Sequence, residues 1–353
     1  MDVAILNDTH AGVRNSSDIF IEYQARFYEE VFFPYLLENN IKKILHLGDY
    51  FEHRKYVNFK ALNQNRRVFL DKLREYNIHM DIIPGNHDVY YKNTNDLCSL
   101  KELMGWYTDC VKIHMDPTVV DYDGTKIALI PWINPENEQE ITEFISNCEA
   151  SIIGAHLELK GYEVMKGMVC PHGMESKLFD RFEMVLTGHF HTKSSKGNIH
   201  YLGSQMEFFW NDAGDPKYFH IFNTDKREIT PVVNPITIFE KIYYDDSEKN
   251  YETINLDYLN NKFVKVIVVN KTDQFMFERF IDRIQNRKIL ELKIQENFSE
   301  FIGENVNDDT ISLEDTDSLL RSYIDAVETD LDRNRIKSEV NTLMVEAQTL
   351  TIA

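Results

Sequence analysis

The feature that most limits the fold of this chain is a pattern that occurs five times, in which a short apolar strand runs directly into polar residues. The polar clusters, in chain order, are Asn7-Asp8-Thr9-His10, Gly48-Asp49, Gly85-Asn86-His87-Asp88, His156 and Gly188-His189-Phe190-His191. Helical spacing of apolar residues separates the first strands, and this alternation predicts parallel pairing in an α/β layered structure. Because loops at the carboxyl ends of such strands converge on one crevice, the five clusters are expected to meet in space.

The chain divides into four segments when its apolar pattern is followed to the end. Residues 1–235 form the α/β segment, and two prolines near its end mark the predicted boundary. Residues 236–295 combine strand and helix patterns and predict a small α+β cap domain. Residues 296–317 hold eight acidic residues and neither Lys nor Arg, which is typical of a linker. Residues 318–353 carry two amphipathic runs and predict a C-terminal helical hairpin.

The charge balance limits the ways in which this chain can bind a polyanion. The 353 residues include 58 acidic and 38 basic side chains, for a net charge of -20. A free-standing protein that binds nucleic acid by electrostatic attraction is expected to be basic. If this chain handles a polyanion, bound metal cations or a partner subunit must therefore supply positive charge.

Cysteine usage and hydropathy indicate the cellular compartment. The cysteines are Cys98, Cys110, Cys148 and Cys170, and no two of them form a Cys-x-x-Cys pair. We expect free thiols in a reducing compartment, which argues against a disulfide framework and against a cysteine zinc site. No apolar run approaches the ~20 residues that cross a bilayer, and the first residues do not read as a signal peptide. A cytoplasmic location without membrane association is expected.

The residue types in the five clusters suit a site for two metal ions. Imidazole and carboxylate ligands bind Mn, Fe or Zn, and the clusters offer no thiolate. A carboxylate such as Asp49 can bridge two cations about 3.5–4 Å apart, and such a pair activates water and neutralises a phosphoryl oxygen. Each cluster alone has a simpler interpretation, such as a capped turn at Gly48-Asp49 or a structural role for His156. All five in order, each at a strand end, favour the metal centre.

The series of clusters resembles the calcineurin-like metallophosphoesterases, whose fold is a layered β-sandwich flanked by helices. Within that superfamily, Asp8-Thr9-His10-Ala11-Gly12 and Gly48-Asp49-Tyr50-Phe51 are similar to motifs of SbcD-type nuclease subunits of the SbcC/SbcD (Mre/Rad) recombination complexes, phage-type recombination endonucleases among them. Protein phosphatases differ, because their Gly-Asn-His motif ends in Glu where this chain has Asp88. The resemblance covers about residues 1–222, whereas the cap and tail match in layout only.

The resemblance implies a role for each cluster residue. One metal is held by Asp8, His10, Asp49 and His191, and the other by Asp49, Asn86, His156 and His189, so that Asp49 bridges. His87 matches the family's catalytic histidine, which contacts the scissile phosphate and protonates the leaving oxygen, and Asp88 orients it. The family often has a second functional histidine directly after Gly-Asp-x-Phe. Here Glu52 takes that position and His53 follows one residue late, either as a catalytic candidate or as a surface histidine.

The resemblance also implies an activity and partners. The activity is that of a DNA nuclease with two divalent ions, preferably Mn²⁺, which acts as a 3′–5′ exonuclease on duplex DNA and as an endonuclease on single strands. It would process DNA ends in recombination, repair and replication. Its partners would be DNA, a second copy of the chain, and an SbcC-like (Rad-type) ABC ATPase bound by the hairpin of residues 318–353. The cap would bind DNA, and the location would be the host cytoplasm if a phage encodes the chain.

Several alternatives stay open. A phosphomonoesterase or a cyclic-nucleotide phosphodiesterase would share the fold, and a scaffold that has lost catalysis would share it too, although the complete ligand set argues against the scaffold. Helices near Lys60–Tyr76 and Asp96–Met104 carry apolar residues that would pair across the two-fold axis of a dimer or simply pack on their own sheet. Outside the clusters, His172 follows Cys170-Pro171 and is interpreted as structural, with a place beside the metal loops as its alternative.

Overall fold

The computed structural model describes residues 1–165, 168–296 and 335. Its strands are β1 Asp2–Leu6, β2 Lys43–Leu47, β3 His79–Ile83, β4 Val111–Ile113, β5 Thr118–Tyr122, β6 Thr125–Ile130, β7 Ile152–His156, β8 Glu163–Met165, β9 Met168–Val169, β10 Met184–Gly188, β11 Ser194–Lys196, β12 Ile199–Tyr201, β13 Tyr218–Asn223, β14 Glu228–Val233, β15 Phe239–Asp245, β16 Phe263–Asn270 and β17 Glu291–Glu296. Its helices are α1 Val13–Ser16, α2 Asp18–Arg26, α3 Phe33–Glu38, α4 Phe59–Asn65, α5 Asp71–Glu75, α6 Ser99–Met104, α7 Glu138–Asn147 and α8 Gln274–Gln285.

Two six-stranded sheets pack face to face. The first has the order β14-β13-β1-β2-β3-β4, with β1 to β4 parallel, and the second has the order β11-β12-β10-β7-β6-β5, with β12, β10, β7 and β6 parallel. Buried side chains from both sheets, including Ile5, Leu45, Leu129 and Leu186, form one apolar cluster. Burial of such side chains from water is the main stabilising contribution to the sandwich. The predicted α/β layered fold is confirmed.

Helices cover the outer faces of the sheets, as expected for parallel strands joined by crossovers. Ile141 and Ile145 of α7 join the apolar cluster on the outer face of the second sheet. On the first sheet, the rings of Phe32 and Phe69 pack against each other, and Phe32 also packs against Phe219 of β13. These helices hold the strand ends in place and leave the loops at the carboxyl ends free to build a site.

Some local features differ from the sequence prediction for physical reasons. The helix predicted over residues 19–37 contains a π-helical segment at Phe27–Phe32, which directly precedes Pro34 near the start of α3. Proline has no amide hydrogen, so the regular hydrogen-bond series is interrupted there. Pro231, one of the prolines taken to mark the boundary, lies inside β14. An edge strand tolerates proline because one of its sides has no ladder partner.

Residues 239–296 contain a third sheet with its own apolar core. The strands β15, β16 and β17 are parallel, and α8 connects β16 to β17. Asp273 caps α8 by accepting hydrogen bonds from the backbone amides of Phe275 and Met276. Tyr244, Val266 and other residues of this segment form a separate buried cluster. The strand and helix types match those predicted for the cap.

A buried carboxylate joins this third sheet to the body of the protein. One oxygen of Glu207, Oε2, accepts hydrogen bonds from the backbone amides of Ile238 at 2.6 Å and Phe239 at 2.9 Å, where β15 begins. The side chain is 1% exposed. Burial, despite these two hydrogen bonds, raises the pKa of Glu207 to about 7. The charged form of this carboxylate therefore lowers the stability of the folded state.

The pKa of Glu207 gives a prediction for stability. Its folded pKa of about 7 lies above the unfolded value of 4.5, so the folded state binds the extra proton between these values. The free energy of unfolding should therefore fall as pH rises from 4.5 to 7, with a contribution of about 3 kcal/mol. We expect Glu207→Gln to flatten this slope in urea unfolding with EDTA present, whereas Glu228→Gln, on an exposed strand, keeps it. Equal slopes for both variants would contradict the prediction.

The remaining predicted segments fall largely outside the described residues. This applies to the acidic linker at 296–317, except Glu296, which ends β17, and to the C-terminal hairpin at 318–353, except Arg335. Within the described part of the chain, no helix combines the length and the apolar character needed to cross a membrane.

Candidate metal centre

The five polar clusters lie at the carboxyl ends of five parallel strands, three in one sheet and two in the other. The clusters at Asp8, Asp49 and Asn86 follow β1, β2 and β3, which are neighbours in the first sheet. His156 ends β7 and His189 follows β10, which pair in the second sheet. The sandwich brings both sets together, and the predicted convergence of the clusters is therefore observed.

Close approach of the loops requires glycine at two positions. Gly48 has φ 89°, and a Cβ atom there would lie 2.6 Å from Nδ1 of His156 and 2.8 Å from the backbone nitrogen of Gly85. A Cβ atom at Gly85 would collide with the carboxylate of Asp49. Any larger residue at these positions would force the loops, and the side chains that they carry, apart.

Several residues of the same loops have strained backbone conformations. Asp8, His10, Asp49 and His189 all have positive φ, at 49°, 44°, 54° and 87°. Such conformations cost about 1–3 kcal/mol each for residues with a Cβ atom, and they cluster at functional sites. These residues therefore keep costly backbone conformations that place their side chains in the site.

The first group of donors comprises Asp8, His10 and His191. Nε2 of His10 lies 3.1 Å from Nε2 of His191 and 3.9 Å from Oδ1 of Asp8. Nε2 of His191 lies 4.0 Å from Oδ1 of Asp8. The carboxylate of Asp8 is fixed because it accepts hydrogen bonds from the backbone amide of His189, at 3.0 and 3.1 Å, and from Nδ2 of Asn7, at 2.6 Å.

The second group comprises Asn86, His156 and His189. Oδ1 of Asn86 lies 3.1 Å from Nε2 of His156 and 3.0 Å from Nδ1 of His189. His156 is fully buried, and its Nδ1 lies 2.7 Å from the carbonyl oxygen of Leu47. That carbonyl oxygen accepts a hydrogen bond from Nδ1, so Nε2 is the ring nitrogen that faces the centre of the group.

Asp49 lies between the two groups. Its Oδ2 is 3.3 Å from Nε2 of His156 and 3.9 Å from Nε2 of His10, one residue from each group. Its Oδ1 accepts a hydrogen bond of 2.8 Å from the backbone amide of His87. The carboxylate is 2% exposed, so a cation on either side would interact with it in a low-dielectric environment.

The electrostatics of the site separate its histidines into two kinds. Burial, helped by the neighbouring His156, lowers the pKa of His189 to about 3. Burial and the charge of His10 hold the pKa of His191 well below its ordinary value. Burial opposes the charged form of His10 and His156 as well, but Glu52 raises the pKa of His10 to about 9 and Asp49 raises that of His156 to about 9.

The donors fit a pair of divalent cations. Imidazole nitrogens, carboxylate oxygens and one amide oxygen converge from buried and partly buried positions. The groups Asp8–His10–His191 and Asp49–His156–His189 each have donor atoms within 4.8 Å of one another. This set suits Mn, Fe or Zn ions, and neither group contains a thiolate. Bound cations would replace the protons that His10 and His156 otherwise carry.

Glu52 is a site residue whose part sequence reasoning did not assign. Its Oε2 lies 2.7 Å from Nδ1 of His10, and its backbone carbonyl oxygen lies 2.6 Å from Nδ1 of His87. A carboxylate behind a metal-binding imidazole fixes the tautomer and the ring orientation. The signal in the sequence is its position directly after Gly48-Asp49-Tyr50-Phe51, where an acidic residue replaces the family's histidine.

The role predicted for Asp88 is wrong. Asp88 was expected to orient His87, but its carboxylate accepts hydrogen bonds from the backbone amides of Tyr50, Phe51 and Gly85, and Nδ1 of His87 faces Glu52 instead. The side chain of Asp88 is directed away from the imidazole of His87 because its carboxylate is hydrogen-bonded to three backbone amides of two loops. Asp88 thus ties the second metal loop to the third. Burial, together with the charge of Asp49, raises the pKa of Asp88 to about 6.

His53 lies beside the site, apart from the two donor groups. Its ring stacks on that of Tyr56 with 4.3 Å between the ring centroids. The side chain of Tyr56 is largely exposed. His53 and Tyr56 therefore form part of the wall of a cleft next to the second metal loop.

Comparison with known proteins agrees with this geometry. Residues 1–193 match the family of calcineurin-like phosphoesterases. The chain is 30% identical over 352 residues to exonuclease subunit 1 of Enterobacteria phage T4, an alignment that covers 98% of this chain and 99% of the relative. Among solved structures, an archaeal phosphodiesterase is similar with a TM-score of 0.33 and 15% identity, over 66% of this chain and 100% of that one. The phosphoesterase YfkN of Bacillus subtilis is similar with a TM-score of 0.34 and 12% identity, over 66% and 88%.

The family match and the phage relative together show the family of this chain. The family match covers all five clusters, from Asp8 to His191. The phage relative aligns over nearly its whole length. The chain belongs to the calcineurin-like phosphoesterase family.

Proposed function

We propose that this chain is a two-metal DNA nuclease that hydrolyses phosphodiester bonds. The observation that carries the proposal is the position of Asp49. Its carboxylate lies between two groups of donors and accepts a hydrogen bond from the backbone amide of His87. The relative in phage T4 is named an exonuclease subunit, which supports a nucleic acid as the substrate.

In this proposal the donors divide as the family resemblance implies. One cation is held by Asp8, His10, Asp49 and His191, and the other by Asp49, Asn86, His156 and His189. Two cations in such a site neutralise charge on the phosphate and lower the pKa of water toward neutrality. The absence of a thiolate from the set favours a harder ion, and we propose Mn²⁺.

His87 is proposed to protonate the leaving oxygen. Its Nδ1 faces the carbonyl oxygen of Glu52 at 2.6 Å, and a carbonyl can only accept a hydrogen bond. The second proton of the imidazolium is then held on Nε2, which is the atom that would donate to the departing sugar oxygen. The ring of His87 lies edge-on to that of His10, with 4.9 Å between their centroids, so it stands beside the first donor group.

The finer activities and partners come from the resemblance. We propose 3′–5′ exonuclease action on duplex DNA and endonuclease action on single strands, with the segment 236–295 contacting DNA and His53 as a further candidate for substrate contact. The net charge of -20 requires positive charge from elsewhere, which bound cations and a partner would supply. The proposed partners are a second copy of the chain and an SbcC-like ABC ATPase.

Glu52→Ala gives a prediction for metal affinity. Loss of the carboxylate at 2.7 Å from Nδ1 frees the ring of His10 to rotate, so the first cation should bind about 10–100-fold more weakly. The second cation should be affected less, because Glu52 has its side-chain contact with His10. Titration of the metal-free protein with Mn²⁺ by calorimetry measures both sites. Glu22→Ala, on the exposed side of α2, is the matched control. Equal Mn²⁺ affinities in the two variants would contradict the prediction.

Removal of the C-terminal segment gives a prediction for partnership. Deletion of residues 313–353 should leave metal content unchanged and should abolish co-purification with the ATPase. A hairpin of two helices buries too little apolar surface to be stable alone, so its apolar side needs another surface. Ile324→Asp, within the predicted apolar stripe, should act like the deletion, whereas Ser322→Asp should not. Unchanged affinity of the truncated chain for the ATPase would show that the segment does not dock it.

A substrate panel tests the proposed function. The purified chain with Mn²⁺ is incubated with end-labelled duplex DNA, single-stranded circular DNA, a phosphomonoester and a cyclic nucleotide. We expect DNA to be hydrolysed far faster than the two small substrates, and EDTA to stop the reaction. Faster turnover of the phosphomonoester or the cyclic nucleotide would assign the chain to another branch of the family, and metal-dependent hydrolysis of none of them would indicate a scaffold.

A further inference from the structure

A further cluster of donors, separate from the two groups of the metal centre, lies where the chain after β7 runs alongside the loop after β9. Four backbone hydrogen bonds hold the two segments together. The amide of Cys170 donates to the carbonyl of Tyr162, and the amide of Gly161 donates to the carbonyl of Cys170, both at 2.8 Å. The amide of Met174 donates to the carbonyl of Glu158 at 2.9 Å, and the amide of Lys160 donates to the carbonyl of Met174 at 3.1 Å. The backbones that carry this cluster are therefore fixed.

The loop at Gly173 is packed tightly against the neighbouring chain. Gly173 has φ 98°, and a Cβ atom there would lie 2.6 Å from the carbonyl oxygen of Glu158. Only glycine permits this approach, and it brings His172 next to the side chain of Glu158. The backbone thus places His172 and Glu158 next to each other.

Three different donors converge at this point. Oε1 of Glu158 lies 3.2 Å from Nε2 of His172 and 4.0 Å from Sγ of Cys170, and all three donor atoms lie within 4.8 Å of one another. Ligands of a tetrahedral zinc ion are about 3.3–3.5 Å apart, given bond lengths of about 2.0–2.3 Å. The two distances from Oε1 of Glu158, 3.2 Å and 4.0 Å, lie within about half an ångström of these values.

Contrary to the expectation from cysteine spacing, we propose that Glu158, Cys170 and His172 form a third metal site, selective for zinc, next to the two-metal centre. The thiolate makes this donor set softer than the other two groups, and soft ligands favour zinc over manganese. Three protein ligands leave the fourth position of the tetrahedron to water. The thiol of Cys170 donates to the carbonyl oxygen of His172 at 3.2 Å, and zinc would displace this proton.

The carboxylate of Glu158 faces both this cluster and the main centre. Its Oε1 belongs to the cluster, and its Oε2 lies 3.8 Å from Nε2 of His189, whose Nδ1 faces Asn86. One side chain thus stands between the zinc site and a proposed ligand of the second cation. The third site is expected to adjoin the centre while it uses none of the residues proposed to hold the two catalytic ions.

Cobalt in place of zinc provides the test, because a Co²⁺–thiolate bond has a charge-transfer absorption in the near ultraviolet. The full-length, metal-free protein is titrated with Co²⁺ in the presence of a thiol-free reductant. At saturation we expect the absorption to have the intensity of one Co²⁺–thiolate bond per chain, and to disappear when Zn²⁺ is added. Cys170→Ser should abolish it, whereas Cys148→Ser, which removes another cysteine, should leave it unchanged. A band that survives Cys170→Ser, or no band in the native protein, would overturn the proposal.

Two further variants keep the test decisive. If Cys170→Ser does not fold, His172→Ala serves instead, since that side chain is 70% exposed and its loss leaves no cavity. It should weaken zinc binding at least about tenfold, and unchanged affinity would contradict the site. Asp49→Ala, which disrupts the proposed two-metal centre, should retain the thiolate band. The third site can therefore be confirmed or rejected whether or not the chain is a nuclease.

Discussion

His87→Ala is expected to hydrolyse DNA about 10²–10⁴ times more slowly than the native protein, with both metals still bound. The imidazole faces Glu52 and stands beside the donor groups, and its backbone amide, which remains in the variant, is what bonds Asp49. Loss of the ring should therefore remove proton donation to the leaving oxygen and little else. Single-turnover hydrolysis of end-labelled duplex DNA measures the rate, and elemental analysis of the same samples measures the metal.

The control for this prediction is His79→Ala, which removes an exposed histidine at the start of β3. It should leave both rate and metal content unchanged. A DNA substrate with a leaving group of low pKa, which needs no proton, should restore much of the rate of His87→Ala. Loss of metal from that variant would move His87 into the ligand set and would contradict the role proposed here.

Asp49→Ala should have the larger effect, because it should empty both metal positions. Two cations about 3.5–4 Å apart repel each other, and a carboxylate between them offsets this repulsion. The carboxylate of Asp49 is the acidic group that contacts His10 on one side and His156 on the other. Its loss should reduce hydrolysis by several orders of magnitude, to the rate of the native protein in EDTA, since charge neutralisation and water activation are both removed.

The comparison with His10→Ala makes this prediction specific. His10 belongs to the first donor group, so its removal should empty that position and leave the other occupied. Asp116→Ala removes an exposed carboxylate and should change neither. Calorimetric titration with Mn²⁺ counts the ions in each variant. One site of native affinity in Asp49→Ala would show that this carboxylate does not bridge.

The sequence predicted the α/β layers and the convergence of the five clusters because both follow from local patterns, whereas the sandwich was implied by the family resemblance. Apolar runs such as those of β2 and β7 indicate buried strands, and a polar residue directly after such a run lies at the sheet's edge. The edge strands β5 and β14 were not predicted. Thr118–Tyr122 lacks a regular alternation of apolar and polar residues, and Glu228–Val233 contains Pro231, so neither sequence indicates a strand until its partner is known.

The contacts that orient the donors could not be predicted. Glu52 reaches His10 across 42 positions of the chain and binds His87 through its backbone carbonyl, a group that every residue carries. Asp88 was predicted to orient His87, its neighbour in sequence. In the fold, its carboxylate instead accepts hydrogen bonds from three backbone amides of the metal loops. Contacts of this kind depend on the path of the loops, and the left-handed conformation at Asp8 and Asp49 sets that path.

Anomalous diffraction from crystals grown with Mn²⁺ tests the central claim most directly. We predict two strong peaks at manganese-binding distance from Asp49. One should also contact Asp8, His10 and His191, and the other should contact Asn86, His156 and His189. A single peak, or two peaks of which one lies away from Asp49, would contradict the two-metal account.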